Sequence, residues 1–293
     1  MEIIDGKLIA EQIKSEIATE VRKMIDNGQN PPHLAAILVG EDPASQTYVA
    51  SKERSCKEVG FISSIYRYPA TITETELLKA VDFLNNDDEI DGFIVQMPLP
   101  KNISVDKIIE SIDPKKDVDG FHPMNAGRML ASLPCYLPAT PYGIMQMLER
   151  SKIETEGKHC VILGRSNIVG TPMSILMSRN NKFANATVTI CHSKTKNLED
   201  ITLQADILIA AIGKPHFVTS NMVKEGAVVI DVGIHRVVST DTKSGFKLIG
   251  DVDFANVSKK CSYISPVPGG VGLMTIVALL QNTFKAAKKE IYQ

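Results

Sequence analysis

The chain has 293 residues, 44% of them hydrophobic and 23% charged, with 32 basic against 34 acidic side chains and a formal net charge of −2. That is the composition of a soluble globular protein long enough for two domains. The near-neutral balance argues against a nucleic-acid-binding surface, and no apolar run approaches the roughly 18 residues of a membrane span. The start, Met1-Glu2-Ile3-Ile4-Asp5-Gly6, has neither the basic opening nor the long apolar core of a secretory signal. Five scattered cysteines (Cys56, Cys135, Cys160, Cys191, Cys261) form no C-x-x-C pair, and the six histidines show no H-E-x-x-H spacing. No metal site and no disulfide framework are expected, and a reducing cytoplasm fits best.

In chain order, the first half alternates strand and helix. Residues 34–39 are an apolar run closed by Gly40, and Asp42 and Pro43 then supply the N-cap and first position of a helix to about residue 60. Residues 62–68 read as the next strand. Thr73 and Glu76 make a capping box for a helix ending near Asn85-Asn86. Another buried strand spans 92–97, stopped by Pro98 and Pro100, and a short helix spans 104–112. Strands separated by helices imply parallel pairing with helices on both faces. Between 113 and 141 the pattern lapses into Asp, Gly, Pro and Asn, as in a functional loop or a domain crossing. Thr140 and Pro141 start a helix to residue 150. Candidate strands follow at 161–163, 187–191, 206–211, 227–232 and 263–265, which is a doubly wound pattern with ligands expected at the carboxyl ends of the strands. The last helix runs from 273 to about 290, with Lys285, Lys288 and Lys289 placed to suit its dipole. The fold class is therefore α/β.

The most informative stretch is His159 to Pro172. A short apolar strand ends at Gly164, which permits a sharp turn. Thr171 and Pro172 have the form of an N-cap and first helical position, which would leave free N–H groups suited to a phosphate. The spacing departs from the usual dinucleotide fingerprint, because Ser166 stands where a second glycine is expected and Gly170 comes one residue late. An NAD site places a carboxylate after the second strand, on the ribose 2′-hydroxyl. Here that strand ends in Cys191-His192-Ser193-Lys194-Thr195-Lys196, without a carboxylate. Lys194 and Lys196 read as a solvated loop, whereas Arg165 and Ser193 together favour a 2′-phosphate, hence NADP over NAD.

Tyr48 and Lys52, four apart, project from one face of the helix opened by Asp42-Pro43. Such a pair is common on solvated helices. Gln96, however, sits inside an apolar run at the end of a parallel strand, where an amide needs a partner. Asp117-Val118-Asp119-Gly120-Phe121-His122-Pro123 reads as an Asp-Gly turn, and its paired carboxylates lack further metal ligands. Pro266-Val267-Pro268-Gly269-Gly270-Val271-Gly272 is either a linker or a bare backbone surface for a flat ligand.

Together these segments resemble the bifunctional methylenetetrahydrofolate dehydrogenase/methenyltetrahydrofolate cyclohydrolase family. The matches are residues 48–52, 95–100, 116–123, 164–170, 191–195 and 266–272, in the family's order and across nearly the whole chain. The resemblance implies a folate-binding catalytic domain at 1–137 and 270–293, a Rossmann-type NADP domain at 138–269, a cleft between them and a homodimer through the NADP domain. It implies oxidation of 5,10-methylenetetrahydrofolate and hydrolysis of the product to 10-formyltetrahydrofolate, in one-carbon metabolism and purine biosynthesis. Carried over by position, the resemblance makes Lys52 the catalytic lysine and has Tyr48 pack on the folate. Gln96 hydrogen-bonds and tunes Lys52, and Asp119 binds the pterin. Val95, Met97 and the backbone of Pro268, Gly269, Gly270, Val271 and Gly272 line the substrate. The resemblance likewise implies that Gly164, Arg165, Ser166, Ser193 and Ile234 hold NADP. Ala139 stands where the family commonly has cysteine, Leu273 where a proline often follows, and Met97 where leucine is usual. Two other readings stay open at this point. One is an NADP-dependent dehydrogenase of another small polar metabolite, and the other is a dinucleotide-binding sensor without a catalytic base.

Overall fold

Residues apolar at successive positions cannot form a half-exposed strand; they form one buried on both faces. His33–Val39 (β2) does so in the computed structural model, which describes residues 1–240, 242 and 245–292. Ahead of it come a two-residue strand, Glu2–Ile3 (β1), and a long helix, Gly6–Asp26 (α1). After it follow Pro43–Val59 (α2), Ile62–Tyr68 (β3), Glu74–Asn85 (α3), Gly92–Val95 (β4), Val105–Ser111 (α4), Pro123–Leu130 (α5) and Ala139–Arg150 (α6). The remainder comprises His159–Leu163 (β5), Gly170–Ser178 (α7), Thr187–Cys191 (β6), Leu198–Thr202 (α8), Ile207–Ala210 (β7) and Val228–Asp231 (β8). It ends with His235–Val238 (β9), Phe246–Ile249 (β10), Phe254–Val257 (α9), Tyr263–Ile264 (β11) and Val271–Ala287 (α10).

The chain divides into two units, residues 11–139 with 276–293 and residues 1–10 with 140–275. In the first, β2 pairs in parallel with β3 on one side and β4 on the other, with Leu34 opposite Ser63 and Gly92. Ile37, Leu77, Val81, Leu84, Phe93 and Ile108 form its core. The capping box at Thr73 and Glu76 is present, and Asp42 caps α2 by accepting from the Ser45 N–H at 2.7 Å. In the second unit six parallel strands lie in the order β1-β11-β8-β7-β5-β6, over a core that includes Val161, Leu163, Leu208, Val229 and Ile264. β9 and β10 form a separate antiparallel pair.

Several expectations need correction. Residues 1–10 group with 140–275 because β1 pairs with β11, Ile3 opposite Ile264. Helix α1, unassigned in the sequence reading, buries Ile9, Ile13, Ile17, Val21 and Met24 along one face and is opened by Asp5, whose Oδ1 accepts from the Leu8 N–H. The irregular stretch 113–141 contains α5, where the His122 Nδ1 accepts from the Met124 N–H and Pro123 starts the helix. Helix α6 begins at Ala139, one residue before Thr140. Helix α10 stops at Ala287, leaving Lys288 and Lys289 beyond its end.

Candidate active site

Helix α2 buries Ser45, Val49, Cys56 and Val59. Those positions define a stripe with steps of four and three, and Lys52 occupies its missing place. The side chain is therefore half-buried, and its Nζ donates to Gln96 Oε1 at 3.1 Å. Gln96 is placed by the sheet, since its N–H extends the β2–β4 ladder by donating to Ile37 O at 2.9 Å. Its amide orientation is set from the other end, where Nε2 donates to Met97 O at 2.8 Å. Burial lowers the Lys52 pKa against the opposing pull of the Asp119 charge. Tyr48, one turn earlier, is part-buried, and burial raises its phenol.

Asp119 is held by a turn with its own scaffold. The buried Asp117 accepts from the N–H groups of Phe121 (3.2 Å) and His122 (2.8 Å) and from Asn125 Nδ2 (2.9 Å). Burial pushes the Asp117 carboxyl up to about 7. Gly120 at φ +73° lies so close to Tyr136, Leu137 and Pro138 that a Cβ there would fall 2.6 Å from Leu137 C. From α10, Asn282 Nδ2 donates to Val118 O (2.9 Å) and Leu137 O (2.8 Å), and Tyr292 Oη donates to Asn125 Oδ1 at 2.8 Å. Burial raises the Asp119 carboxyl while the Lys52 charge opposes it.

In the other unit, the strand order reverses between β5 and β7, which is the ligand-binding switch point of an open α/β sheet. Gly164 lies there at φ +123°, and a Cβ on it would strike Ala211 O, just past β7. A Cβ on Gly170 would strike Gly164 O. The tight cradle therefore demands both glycines. Arg165 is exposed in this loop, with no side-chain hydrogen bond or ion pair among the described residues. Ser193 is exposed two residues past β6, and Ile234 three past β8. A narrow glycine cradle with an uncommitted guanidinium fits a phosphate-bearing dinucleotide.

One detail overturns the expectation at Thr171. The helix begins at Gly170, and Thr171 and Pro172 are its second and third residues. Ser166 does the capping: its Oγ accepts from the Val169 N–H at 3.2 Å, and its carbonyl accepts from the Thr171 N–H at 3.0 Å. Ser166 Oγ also accepts from the Gly170 N–H at 3.5 Å, so the N–H groups of Gly170 and Thr171 both have partners, and Arg165 is the exposed charge of the loop.

The substrate residues expected from the sequence are divided. Tyr48, Lys52, Val95, Gln96, Met97 and Asp119 belong to the unit of 11–139, whereas Pro268 to Gly272 belong to that of 140–275. There the run packs on the start of α1, where a Cβ on Gly6 would come within 2.5 Å of Gly270 O. Among the described residues no cluster of three or more His, Cys, Asp or Glu side chains is arranged to hold a metal.

Comparison with known proteins decides the family. Residues 4–119 match the catalytic domain of tetrahydrofolate dehydrogenase/cyclohydrolase, and residues 138–291 match its NAD(P)-binding domain. The chain belongs to the tetrahydrofolate dehydrogenase/cyclohydrolase family. It is 61% identical to a bifunctional protein FolD of Cytophaga hutchinsonii, over 98% of this chain and 99% of that one. It is 60% identical to that of Bacteroides fragilis over the full length of both. The crystal structure of the bifunctional enzyme FolD from Campylobacter jejuni superposes with a TM-score of 0.92 at 49% identity, covering 99% of each chain. A Trypanosoma brucei enzyme solved with NADP cofactor and inhibitor gives 0.92 at 35% identity, covering 99% of this chain and 98% of that one.

Leu273 is exposed, and its N–H donates to Gly270 O at 3.3 Å, a bond that proline lacks. Ala139 is buried at the first position of α6. Sequence reasoning gave Asp117 no role beyond a turn, and it missed Asn125 and Asn282, and also Asp231 and Asp251, which are buried in the unit of 140–275. For Asp231 a signal existed: like Gln96, it is a polar residue closing an apolar parallel strand.

Proposed function

We infer that this chain oxidises 5,10-methylenetetrahydrofolate to the 5,10-methenyl form with NADP and hydrolyses that product to 10-formyltetrahydrofolate. The observation that carries this reading is the Lys52–Gln96 hydrogen bond, with a lysine whose pKa burial has lowered and a carboxylate, Asp119, near enough to feel its charge.

NADP, when bound, supplies the acceptor for the hydride that leaves the methylene bridge. The chain's part in that step is positioning. Gly164 and Gly170 give close access to the backbone, Arg165 and Ser193 meet the 2′-phosphate, Ser166 keeps its hydroxyl proton free to donate, and Ile234 packs on the cofactor. Asp119 pairs with the adjacent amino and ring N–H donors of the pterin, and Tyr48 stacks on it. The backbone from Pro268 to Gly272 lines the substrate.

In the hydrolytic step water attacks the cationic methenyl carbon. Lys52, neutral, takes the proton as the C–O bond forms. The Lys52 ammonium then returns that proton to N5 as the carbon–N5 bond breaks, and the hydroxyl proton leaves to solvent as the C=O bond forms, which leaves the formyl group on N10. An ordinary lysine, with a pKa of about 10.4, would be mostly protonated at neutral pH. Burial and the positive substrate both favour the neutral amine. Gln96 accepts one Nζ hydrogen and so aims the lone pair elsewhere.

The folate chemistry is assigned to the unit of 11–139 and 276–293, and cofactor binding to that of 1–10 and 140–275. The exposed apolar residues Val238, Phe246 and Leu248 on the β9–β10 pair support a homodimer through the cofactor unit. Five buried cysteines, none in a disulfide among the described residues, suit a cytoplasmic protein. NADPH formation strictly dependent on methylenetetrahydrofolate supports the assignment. NADPH formed from another small polar substrate without folate would replace it with the alternative dehydrogenase. Titration tests the cofactor: NADP binds more tightly than NAD, and Arg165→Ala removes the difference.

A further inference from the structure

We propose that Asp251 is the positioning residue of the dinucleotide site, tying the loop that follows β7 to the first residue of β9. The inference rests on the cofactor reading above. Asp251 is wholly buried. Its Oδ2 accepts from the N–H groups of Ile212 (2.8 Å) and Gly213 (2.9 Å), the two residues directly after Ala211. Its Oδ1 accepts from His235 Nε2 at 2.7 Å, the residue directly after Ile234. One carboxylate therefore fixes both the strand end that abuts Gly164 and the residue beside the expected cofactor contact.

A second carboxylate holds the first in place. Asp231, at the end of β8, accepts from the N–H groups of Asp251 (2.8 Å) and Gly233 (3.0 Å) on Oδ1, and from Val252 N–H (3.0 Å) on Oδ2. Its own N–H donates to Ser265 Oγ at 2.8 Å. Two glycines are dictated by this arrangement. A Cβ on Gly233 would strike the Asp251 carboxylate, and one on Gly250 would strike that of Asp231. The pattern Asp231-Val232-Gly233-Ile234-His235 with Gly250-Asp251 is thus a single constraint on the carboxyl edge of the sheet. A core built only for stability has cheaper solutions than two buried carboxylates. Their bonds run to loop backbone at the edge where ligands bind an open sheet.

The test is a split between the two activities. Asp251→Ala should raise the KM for NADP and the Kd for NADPH at least tenfold. Hydrolysis of methenyltetrahydrofolate without NADP should stay within twofold of wild type. Asp251→Asn should recover much of the loss, because its Oδ1 can still accept from Ile212 and Gly213 while Nδ2 donates to the other tautomer of His235. Should Asp251→Ala fail to fold, His235→Phe carries the test with a smaller rise, on the order of threefold. Unchanged NADP affinity in a folded variant overturns the proposal, as does a parallel fall in both activities. Failure of the wild type to bind NADP at all overturns the cofactor reading instead.

Discussion

A charged residue on the buried stripe of a helix is either neutralised by a partner or kept for its chemistry. Among the described residues Lys52 Nζ has only the Gln96 amide for a hydrogen-bond partner, and burial pulls its pKa down. Replacing it with methionine, which keeps the volume and removes the base, should cut methenyl hydrolysis at least a hundredfold while leaving part of the hydride transfer. Stopped-flow loss of methenyl absorbance reads the first, and NADPH formation the second. The pH dependence has a definite sign. Hydrolysis needs the neutral amine, so its rate rises with pH through the lysine's pKa and is lost below it. Because that pKa is lowered, the rising limb lies at lower pH than an ordinary lysine would give. Asp119→Asn removes a charge that favours the ammonium, and the limb of kcat should move further toward acid. A limb that stays in place, or moves toward alkali, would contradict the role of Asp119. At this scale the sequence was partly legible. Spacing puts Tyr48 and Lys52 on one helix face and marks Gln96 as an amide in need of a partner, whereas their roles came from the family resemblance. The proximity of Asp119 does not, because it depends on a turn fastened by Asp117 and Asn125, and nothing local in the sequence announces those bonds.

Elements position the residues, and their ties are testable separately. Asn282 on α10 binds two carbonyls of the segment that carries Asp119. Asn282→Ala leaves both buried acceptors without that donor, at a cost of about 1–3 kcal/mol or more. Denaturant unfolding should show this loss, together with a raised KM for folate. A variant with unchanged stability would mean that the segment is held by other means. In the cofactor unit, Gly164→Ala forces a Cβ onto Ala211 O at a backbone angle that only glycine adopts readily. NADP binding should fall by more than tenfold, measured by NADPH fluorescence. Helices with capping residues, such as α2 and α3, could be read closely from the chain. The start of α7 could not, because Ser166 caps it from four residues upstream of Gly170 rather than from the adjoining position. The pair β9–β10 also escaped, since its strands are four residues each and lack a strict alternation.

For the whole molecule, alternating strands and helices made two α/β units legible, but not how the chain distributes between them. Strand β1 has two residues, too few for any periodicity, and only its pairing with β11 shows that the N-terminus belongs with residues 140–275. Assembly is the other property of this scale. The exposed Val238 and the apolar β9–β10 surface predict a solution mass near twice the 32.0 kDa of one chain. Val238→Asp should shift light-scattering mass toward the monomer, whereas an unchanged dimer would place the interface elsewhere. The central claim is that one chain carries both steps and that Lys52 serves the second. It is tested most directly by giving wild type and Lys52→Met 5,10-methylenetetrahydrofolate with NADP and following NADPH, methenyl and 10-formyl products together. Wild type should give NADPH with 10-formyltetrahydrofolate, and the variant NADPH with accumulating methenyltetrahydrofolate. Normal hydrolysis by the variant, or no folate-dependent NADPH from wild type, would contradict it.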